Sequence, residues 1–247
     1  MLLSIMQPTY LPWLGYFSLI NSADKFVFLD NVKLEKSDWH VRNKIKSGRQ
    51  ELMLTCPVST PKGRMIATIE NTQFVSANPW RRKHLKSIAE SYAKAPFFSS
   101  LFPLLDSIYK DESITFLAQM NIKIIRALMD YMNITTPTFI ASELEGVSGV
   151  KDARLVSICN ELECNNYLSP VGAQAYIEKE SPGGALVKND IEVFYQNFTH
   201  PKYPQVKGEF ISYLSVIDCL FNVGPVETVK LINTYTGTHT HYQSLSV

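Results

Sequence analysis

The sequence has almost no excess charge, and this absence excludes several classes of protein. Its 24 lysines and arginines against 23 aspartates and glutamates give a net charge of +1. No global field therefore draws the chain to nucleic acid or to an anionic membrane, and we expect neither a nucleic-acid partner nor membrane insertion. No run approaches the roughly 18 apolar residues of a membrane-spanning helix. The opening residues 1–6 lack the positive charge of a signal peptide, so we expect a cytoplasmic protein.

Patterns of metal ligands are also missing. The four cysteines form no Cys-x-x-Cys pair and have no histidine at zinc-ligand spacing, so we interpret them as reduced core thiols. His239 and His241 alternate near the end of the chain, but two ligands do not make a metal site. We therefore expect no metal and no tightly held cofactor.

The composition is that of a folded globular chain. Of its 247 residues, 45% are hydrophobic, 11% aromatic and 19% charged, which excludes a disordered or fibrous protein. We expect one α/β domain over residues 1–247, with a helical insertion at about 76–134 and a loose tail at 234–247. The alternative is two domains that divide near residue 135.

The first 30 residues predict a strand, a loop, a helix and a second strand. Residues 2–6 and 25–29 are β-rich, and residues 14–20 have apolar side chains at helical spacing. Such a unit predicts a parallel crossover, with the turn after the first strand at the carboxyl edge of the sheet. Ligands of open α/β sheets bind at that edge.

The rest of the chain predicts further alternation of strands and helices. We expect a third sheet strand at 51–58, an edge strand at 65–74, helices at 78–93 and 113–132, and then strands at 138–142, 166–169 and 191–198. Further helices are predicted at 152–162, 174–178, 211–221 and 226–233. The fold class is therefore α/β, with a mainly parallel, Rossmann-like sheet and a helical insertion.

A basic cluster at residues 33–49 is the first candidate for ligand binding. It has six cations and two anions, and it contains Trp39, His40, Arg42, Asn43 and Lys44. Arg42 is able to grip a phosphate with two hydrogen bonds, and Lys44 adds a point charge. We interpret Lys33, Lys36 and Arg49 as solvated surface residues.

A second basic cluster lies at residues 80–86, in the first turns of a helix that we expect Asn78 and Pro79 to open. Cations such as Arg81 oppose the helix dipole there, and a bound anion would relieve this. His84, close to several cations, is our candidate general base, with its pKa lowered so that it is neutral near pH 7. For each tryptophan, including Trp13, the choice is between a core anchor and a stacking platform.

Two later segments carry polar residues in unusual places. Tyr203 and Gln205 lie in a proline-framed loop after a predicted strand. Ser215, Asp218 and Asn222 share one face of an otherwise apolar helix, so they need partners. They form either a buried network or a substrate-binding surface in which Asp218 orients a base or binds the acceptor.

Several motifs resemble the WbqC-like family of bacterial proteins. They are Gln7-Pro-Thr-Tyr10-Leu-Pro-Trp13-Leu-Gly15-Tyr-Phe17, the segment 24–30 that ends at Asp30, Trp39-x-x-Arg42-Asn43-Lys44-Ile45, Tyr167-Leu-Ser169, Tyr203-Pro-Gln205 and the block 214–224. The resemblance implies a role in O-antigen, lipopolysaccharide or other surface-polysaccharide biosynthesis, where members are thought to attach an acyl or aminoacyl group, such as glycine, to an amino sugar. It assigns no catalytic residues.

The opening segment is also similar, at the level of fold, to class I nucleotidyltransferases. Their His-x-Gly-His stands where this chain has Trp13-Leu14-Gly15-Tyr16. The resemblance implies that the Gly15 turn receives a phosphate, but both histidines of the motif are missing.

Our leading hypothesis is an acyl or aminoacyl transferase that acts on the amine of a nucleotide-linked amino sugar. Coenzyme A or the phosphopantetheine of an acyl or peptidyl carrier protein would supply the donor. In this hypothesis His84 and Asp218 are catalytic, and fifteen residues bind substrate: Gln7, Tyr10, Trp13, Gly15, Asp30, Trp39, His40, Arg42, Asn43, Lys44, Arg81, Tyr203, Gln205, Ser215 and Asn222. The alternatives are a non-catalytic nucleotide-sugar or carrier-binding module and a nucleotidyltransferase-like enzyme. The sequence leaves the oligomeric state open.

Overall fold

The centre of the molecule is a six-stranded sheet. The structure, a computed structural model, describes residues 1–34, 39–60, 63 and 66–245. The sheet contains β1 (Leu2–Met6), β2 (Lys25–Phe28), β7 (Thr138–Ile140), β8 (Asn166–Ser169), β9 (Glu192–Tyr195) and β10 (Thr240–His241). Their order is β10-β9-β8-β1-β2-β7, and every pairing is parallel except that of β10 with β9. The fold is therefore mixed α/β with a mostly parallel central sheet.

Helices cover both faces of this sheet because its central strands are apolar on both sides. Phe26 and Phe28 of β2 pack with α1 (Leu14–Asn21), α4 (Leu117–Tyr131) and α8 (Val216–Tyr235). Val27, one residue out of phase, packs with α5 (Asp152–Glu161), α6 (Gln174–Ile177) and α7 (Gly184–Val187) on the other face. The two-residue period of β2 thus divides the core into two clusters.

The chain between β2 and β7 adds two hairpins and three helices. β3 (Arg42–Ser47) pairs with β4 (Gln50–Thr55), and β5 (Val58–Ser59) pairs with β6 (Gln73–Phe74). The predicted third sheet strand at 51–58 is thus part of a separate hairpin, and the expected edge strand at 65–74 is reduced to β6. α2 (Trp80–Tyr92) and α3 (Phe98–Lys110) precede α4, and α3 lies between the two helices that were predicted for this segment. Pro79, rather than Asn78, occupies the N-cap of α2.

The last helix differs in its start and its continuity from the two predicted helices. It begins at Val216 rather than Ile211, because Ser215 caps it by accepting a hydrogen bond from the Ile217 N–H at 3.4 Å. It runs through a kink at Gly224, whose φ of 78° lies in the left-handed region, next to Pro225.

Part of the segment expected to be a loose tail is held on the molecule. Thr240 and His241 form β10, and Tyr242 and Leu245 pack on the second core cluster. Among the described residues, no helix combines the length and apolar character needed to cross a bilayer. All four cysteines are buried and unbridged.

Candidate functional site

A cleft lies at the carboxyl ends of β1 and β8, where the strand order reverses. We call it the edge cleft. Its main lobe has a volume of about 500 Å³ and is bordered by Met6 and Gln7 after β1 and by Pro170 after β8. A minor lobe of about 310 Å³ shares Trp13 with the main lobe and reaches Trp39 and Asn43. The predicted binding edge of the sheet therefore carries a real cavity.

Aromatic side chains are prominent in the walls of the main lobe. Six rings line it, those of Trp13, Tyr16, Tyr167, Tyr176, Phe198 and Tyr213. Burial, together with the nearby Asp152 carboxylate, raises the pKa of Tyr176 to about 12, so its hydroxyl is neutral. Among the described residues, no lysine, arginine, histidine, aspartate or glutamate lines either lobe. The cleft thus offers flat apolar surfaces and neutral hydrogen-bonding groups.

Trp13 is fixed between the two lobes by the turn that precedes α1. Its indole lies against the first turn of that helix, where a Cβ on Gly15 would overlap the ring. The other side of the indole stacks on His200, with ring planes 7° apart and centroids at 6.2 Å. Gly15 is therefore required for the close approach of Trp13, a different role from the phosphate-binding turn that the sequence suggested.

Amide groups supply the polar part of the main lobe. Gln196 donates from Nε2 to the Gly15 carbonyl at 2.8 Å and to Ser18 Oγ at 3.0 Å, which fixes its side chain at the base of α1. The Gln7 carbonyl accepts a hydrogen bond from the Tyr16 hydroxyl at 3.1 Å. These bonds hold two amide-bearing residues at the edge of the sheet.

His84 lies in the interior, away from the edge cleft. Its Nδ1 is 2.8 Å from the Tyr10 hydroxyl, which also bonds to the hydroxyl of Tyr109. Burial lowers the pKa of His84 to about 4, and a hydrogen bond with the Thr55 backbone partly opposes this shift. The imidazole is thus neutral near pH 7 as expected, but the main cause is burial and not the neighbouring cations. Tyr10, predicted to bind substrate, is buried in the same cluster.

Asp218 is also sealed inside the protein. Its carboxylate accepts hydrogen bonds from the hydroxyl of Tyr92 at 2.7 Å, the hydroxyl of Tyr203 at 3.0 Å and Nε2 of Gln205 at 2.8 Å. Burial raises the pKa of Asp218 although these donors favour its charged form. The Nζ of the buried Lys46 donates to Gln205 Oε1 at 3.1 Å and to the Glu209 carbonyl at 2.5 Å.

This network fixes the loop that runs from β9 to α8. Asn222 accepts from the Val206 N–H at 2.8 Å and donates to the Asp218 carbonyl at 2.7 Å. Ser215 donates its N–H to the Lys44 carbonyl at 2.9 Å. The loop brings Tyr213 to the edge cleft and places His200 against Trp13. The polar face of α8 is therefore a buried network that holds this loop in place.

The cations of the first basic cluster do not gather at one site. Lys44 forms an ion pair with Glu51 at 2.7 Å, and the buried Nε of Arg42 has no hydrogen-bond partner among the residues that the structure describes. His40 is buried, and its carbonyl accepts from Asn121 at 2.9 Å. Asn43 donates to the carbonyls of Tyr10 and Leu11, at 3.2 and 2.7 Å, and so fixes the turn above the minor lobe. Four residues of the cluster, 35–38 with the predicted surface residue Lys36, lie outside the described residues.

In the second basic cluster, Arg81 is bound by the protein itself, although Arg81 and Arg82 also line a cavity of about 720 Å³. The Arg81 guanidinium donates to the carbonyls of Tyr109, Asp111 and Ile114 and stacks on Trp80 at 5.1 Å. Backbone carbonyls therefore accept hydrogen bonds from this cation at the start of α2.

Five of the predicted site residues thus meet at the edge cleft: Gln7, Trp13, Gly15, Trp39 and Asn43. Within the described part of the chain, neither Asp218 nor any cation of the two basic clusters lines it. Asp30 lines a second cavity, at the carboxyl ends of β2 and β7. Five further residues line the main lobe and were not predicted from the sequence: Tyr167, Tyr176, Gln196, Phe198 and Tyr213. Gln196 and Phe198 follow directly after β9, and this position at a strand end is the signal that would have found them. Tyr176 lies on α6 and Tyr213 in the loop before α8, where no such signal exists.

Comparison with known proteins shows the family of this chain. The model of the WbqC-like protein family matches residues 7–230, which include the whole turn around Trp13 and the whole polar face of α8. The chain belongs to the WbqC-like family. A relative in this comparison, the uncharacterized protein Rv1507c of Mycobacterium tuberculosis (strain ATCC 25618 / H37Rv), is 30% identical over 222 residues, which cover 90% of this chain and 93% of the relative. No solved structure matches the chain.

Proposed function

We propose that the edge cleft holds the sugar of a nucleotide-linked amino sugar, and that the protein transfers an acyl or aminoacyl group to the amine of that sugar in surface-polysaccharide biosynthesis. The observation that carries this proposal is the aromatic, uncharged cleft at the carboxyl ends of β1 and β8. In this proposal the sheet is Rossmann-like and uses its point of strand-order reversal as the acceptor site.

The chemistry of the walls supports a sugar as the occupant. A pyranose ring has an apolar face of C–H groups that packs on aromatic rings, and hydroxyl groups at its rim that need donors and acceptors. The main lobe offers both, with Tyr176 and Tyr213 as rings and Gln7 and Gln196 as amide-bearing residues. The exposed Trp39 of the minor lobe is then a platform for the base of the nucleotide.

The lack of ionisable walls has a consequence for the reaction. The amine attacks a carbonyl only after it loses its proton, and no imidazole or carboxylate of the described residues lines the cleft to accept it. In this proposal the acceptor enters with its amine already neutral, and neither His84 nor Asp218 acts as the base. As the amide bond forms, the bond from the carbonyl carbon to the donor's thiol or other leaving group breaks, and that leaving group takes up the proton that the nitrogen loses. We expect kcat/KM to rise with pH as the free amine of the acceptor deprotonates.

The same observation favours a second candidate, a sugar-binding module without catalysis. A cleft whose described residues supply rings and amides, and no titratable group other than tyrosine, has all that binding requires. The two functions differ in their product, so one experiment separates them.

The test combines calorimetry with mass spectrometry. The full chain is titrated with nucleotide-linked amino sugars and then incubated with the ligand that binds and with acyl-coenzyme A, acyl-carrier or aminoacyl donors. A new amide on the sugar supports the transferase, whereas binding without an amide for every donor supports the module. If no amino-sugar nucleotide binds, both are overturned.

A matched pair of variants connects the result to the cleft. Tyr213 is 61% exposed and lines both lobes, so Tyr213→Ala should fold and weaken sugar binding about 10-fold. Tyr235, 37% exposed at the end of α8, lines neither lobe, so Tyr235→Ala should bind as the unchanged protein does. Equal binding by both variants would place the sugar elsewhere.

A further inference from the structure

A second cavity of about 620 Å³ lies at the carboxyl ends of β2 and β7, beside α4. We call it the β2–β7 cavity. No described residue lines both this cavity and the edge cleft. Leu29, which follows β2, borders the edge cleft, and the next residue, Asp30, borders the β2–β7 cavity. Its walls contrast with those of the cleft, since they include both acidic and basic side chains over a floor of Ile122 and Ile140.

Asp30 is a buried carboxylate that borders this cavity. It is 3% exposed, and it accepts hydrogen bonds from the N–H of Ser142 at 3.0 Å and from the hydroxyl of Ser142 at 2.6 Å. Both donors are neutral, and Asp30 forms no salt bridge with any of the described cationic side chains. A carboxylate this deeply buried normally faces a positive charge, so one ionic contact at this position is left for a ligand.

Arg126 of α4 is in the opposite situation on the same wall. Its guanidinium donates from Nε to Thr138 Oγ1 at 3.0 Å and from the second terminal nitrogen to the Thr138 carbonyl at 3.4 Å, and it lies over the Phe28 ring. These partners are neutral too, and within the described part of the chain no carboxylate pairs with Arg126. Lys123, the other cation of the wall, is already paired with Asp111 at 2.8 Å. The position of Arg126 suits a bidentate contact with an anionic group.

We infer that the β2–β7 cavity binds a small zwitterion of the α-amino acid class, with its ammonium group at Asp30 and its carboxylate at Arg126. A ligand that carries an ammonium group and a carboxylate compensates the charges of Asp30 and Arg126 at once. A simple anion would leave Asp30 uncompensated and would face Glu70, Asp130 and Glu143. A simple amine would leave Arg126 uncompensated. The apolar floor then receives a short side chain. The inference does not rest on the proposed function of the edge cleft.

The ligand series tests this without any change to the protein. The full chain is titrated by calorimetry with glycine, alanine and valine, and then with the amide and the N-acetyl derivative of the best of them. We expect the zwitterion to bind about 10- to 100-fold more tightly than either derivative, because each derivative lacks one charge-assisted contact. Equal binding of the amide or of the N-acetyl form overturns the inference, as does the lack of any heat with all three amino acids at millimolar concentration.

Two variants then assign each charge to its residue. Asp30→Asn should weaken binding of the zwitterion about 10-fold or more and leave binding of the N-acetyl derivative unchanged. Arg126→Gln should weaken the zwitterion similarly and leave binding of the amide unchanged. Glu227→Gln, an exposed carboxylate change on α8 outside the cavity, should have no effect. If either cavity variant affects both derivatives equally, the charges do not act as assigned; if a variant does not fold, the ligand series on the unchanged protein decides.

Discussion

At the scale of single residues, the imidazole of His84 is neutral because it is buried, and this neutrality is not a sign of a catalytic base. The side chain is 6% exposed among Tyr10, Trp80 and Tyr109, and its pKa is lowered to about 4. In the unfolded chain a histidine titrates near 6.5, so between these values the unfolded state binds more protons than the folded state. The contribution of His84 to the unfolding free energy is therefore fully present above about pH 6.5. It is lost as the pH falls towards 4, because protonation then favours the unfolded chain.

Removal of this imidazole should flatten the dependence of stability on pH. Between pH 7 and pH 4.5 we expect the unchanged protein to lose about 2 to 3 kcal/mol of unfolding free energy through His84, and His84→Gln to lack this part of the loss. Urea denaturation at the two pH values measures it. Tyr10→Phe keeps the ring buried and should retain the pH dependence, because burial is the main cause of the shift. An unchanged slope in His84→Gln would mean that the imidazole is charged in the folded protein.

The basic residues show a limit of sequence reasoning at this scale. Arg81 and Lys44 were predicted to hold phosphates because cations cluster around them, yet backbone carbonyls satisfy Arg81 and Glu51 pairs with Lys44. A sequence gives the charge of a side chain but not the distance to carbonyls that the fold brings to it. The sequence predicted the surroundings of Asp218 better, since a polar residue on an apolar helix face had to have partners. The buried network that the structure shows was one of the two stated alternatives.

At the scale of elements, the turn from β1 into α1 positions the main aromatic wall of the edge cleft. In Gly15→Ala the new methyl group would overlap the Trp13 indole, so the ring has to leave its place between the lobes. We expect a loss of about 1 to 3 kcal/mol in unfolding free energy and a loss of sugar binding. Gly172→Ala is the matched control, because Gly172 lines the same lobe and its Cβ would meet nothing within 4 Å. Urea denaturation and calorimetry on both variants make the comparison, and equal behaviour would contradict this role of Gly15.

Elements with a clear hydrophobic period were predicted well, and elements defined by distant contacts were not. β1 and β8 have the predicted bounds, and α1 extends the prediction by one residue. β3 was missed because its basic sequence carries no strand period and is held in place by pairing with β4. The start of α8 was placed five residues early, since the apolar residues before Ser215 belong to the loop and not to the helix. Local periodicity thus located the sheet edge and the aromatic turn, but not the loop that completes the cleft.

At the scale of the whole molecule, the central strands connect the two hydrophobic clusters. Phe26 and Phe28 belong to one cluster and Val27 to the other, so both clusters use the same four-residue strand, β2. The central sheet also contains strands from before and after the helical segment at 80–131. Neither cluster can lose its packing without exposing one face of strands that the other requires, and such sharing is the physical basis of cooperative unfolding.

Because the two clusters share strands, we expect the protein to unfold in one transition. This expectation distinguishes a single domain from two domains that divide near residue 135. Ile125 of α4 and Ile158 of α5 are both fully buried, one in each cluster. Ile125→Ala and Ile158→Ala should each lower the unfolding free energy by about 2 to 5 kcal/mol. Each variant should shift the whole unfolding transition, as measured both by circular dichroism and by tryptophan fluorescence. The tryptophans all lie in the first 80 residues, so fluorescence reports on the first half alone. If Ile158→Ala moved the circular dichroism transition and left the fluorescence transition in place, the two halves would unfold separately and the two-domain alternative would hold.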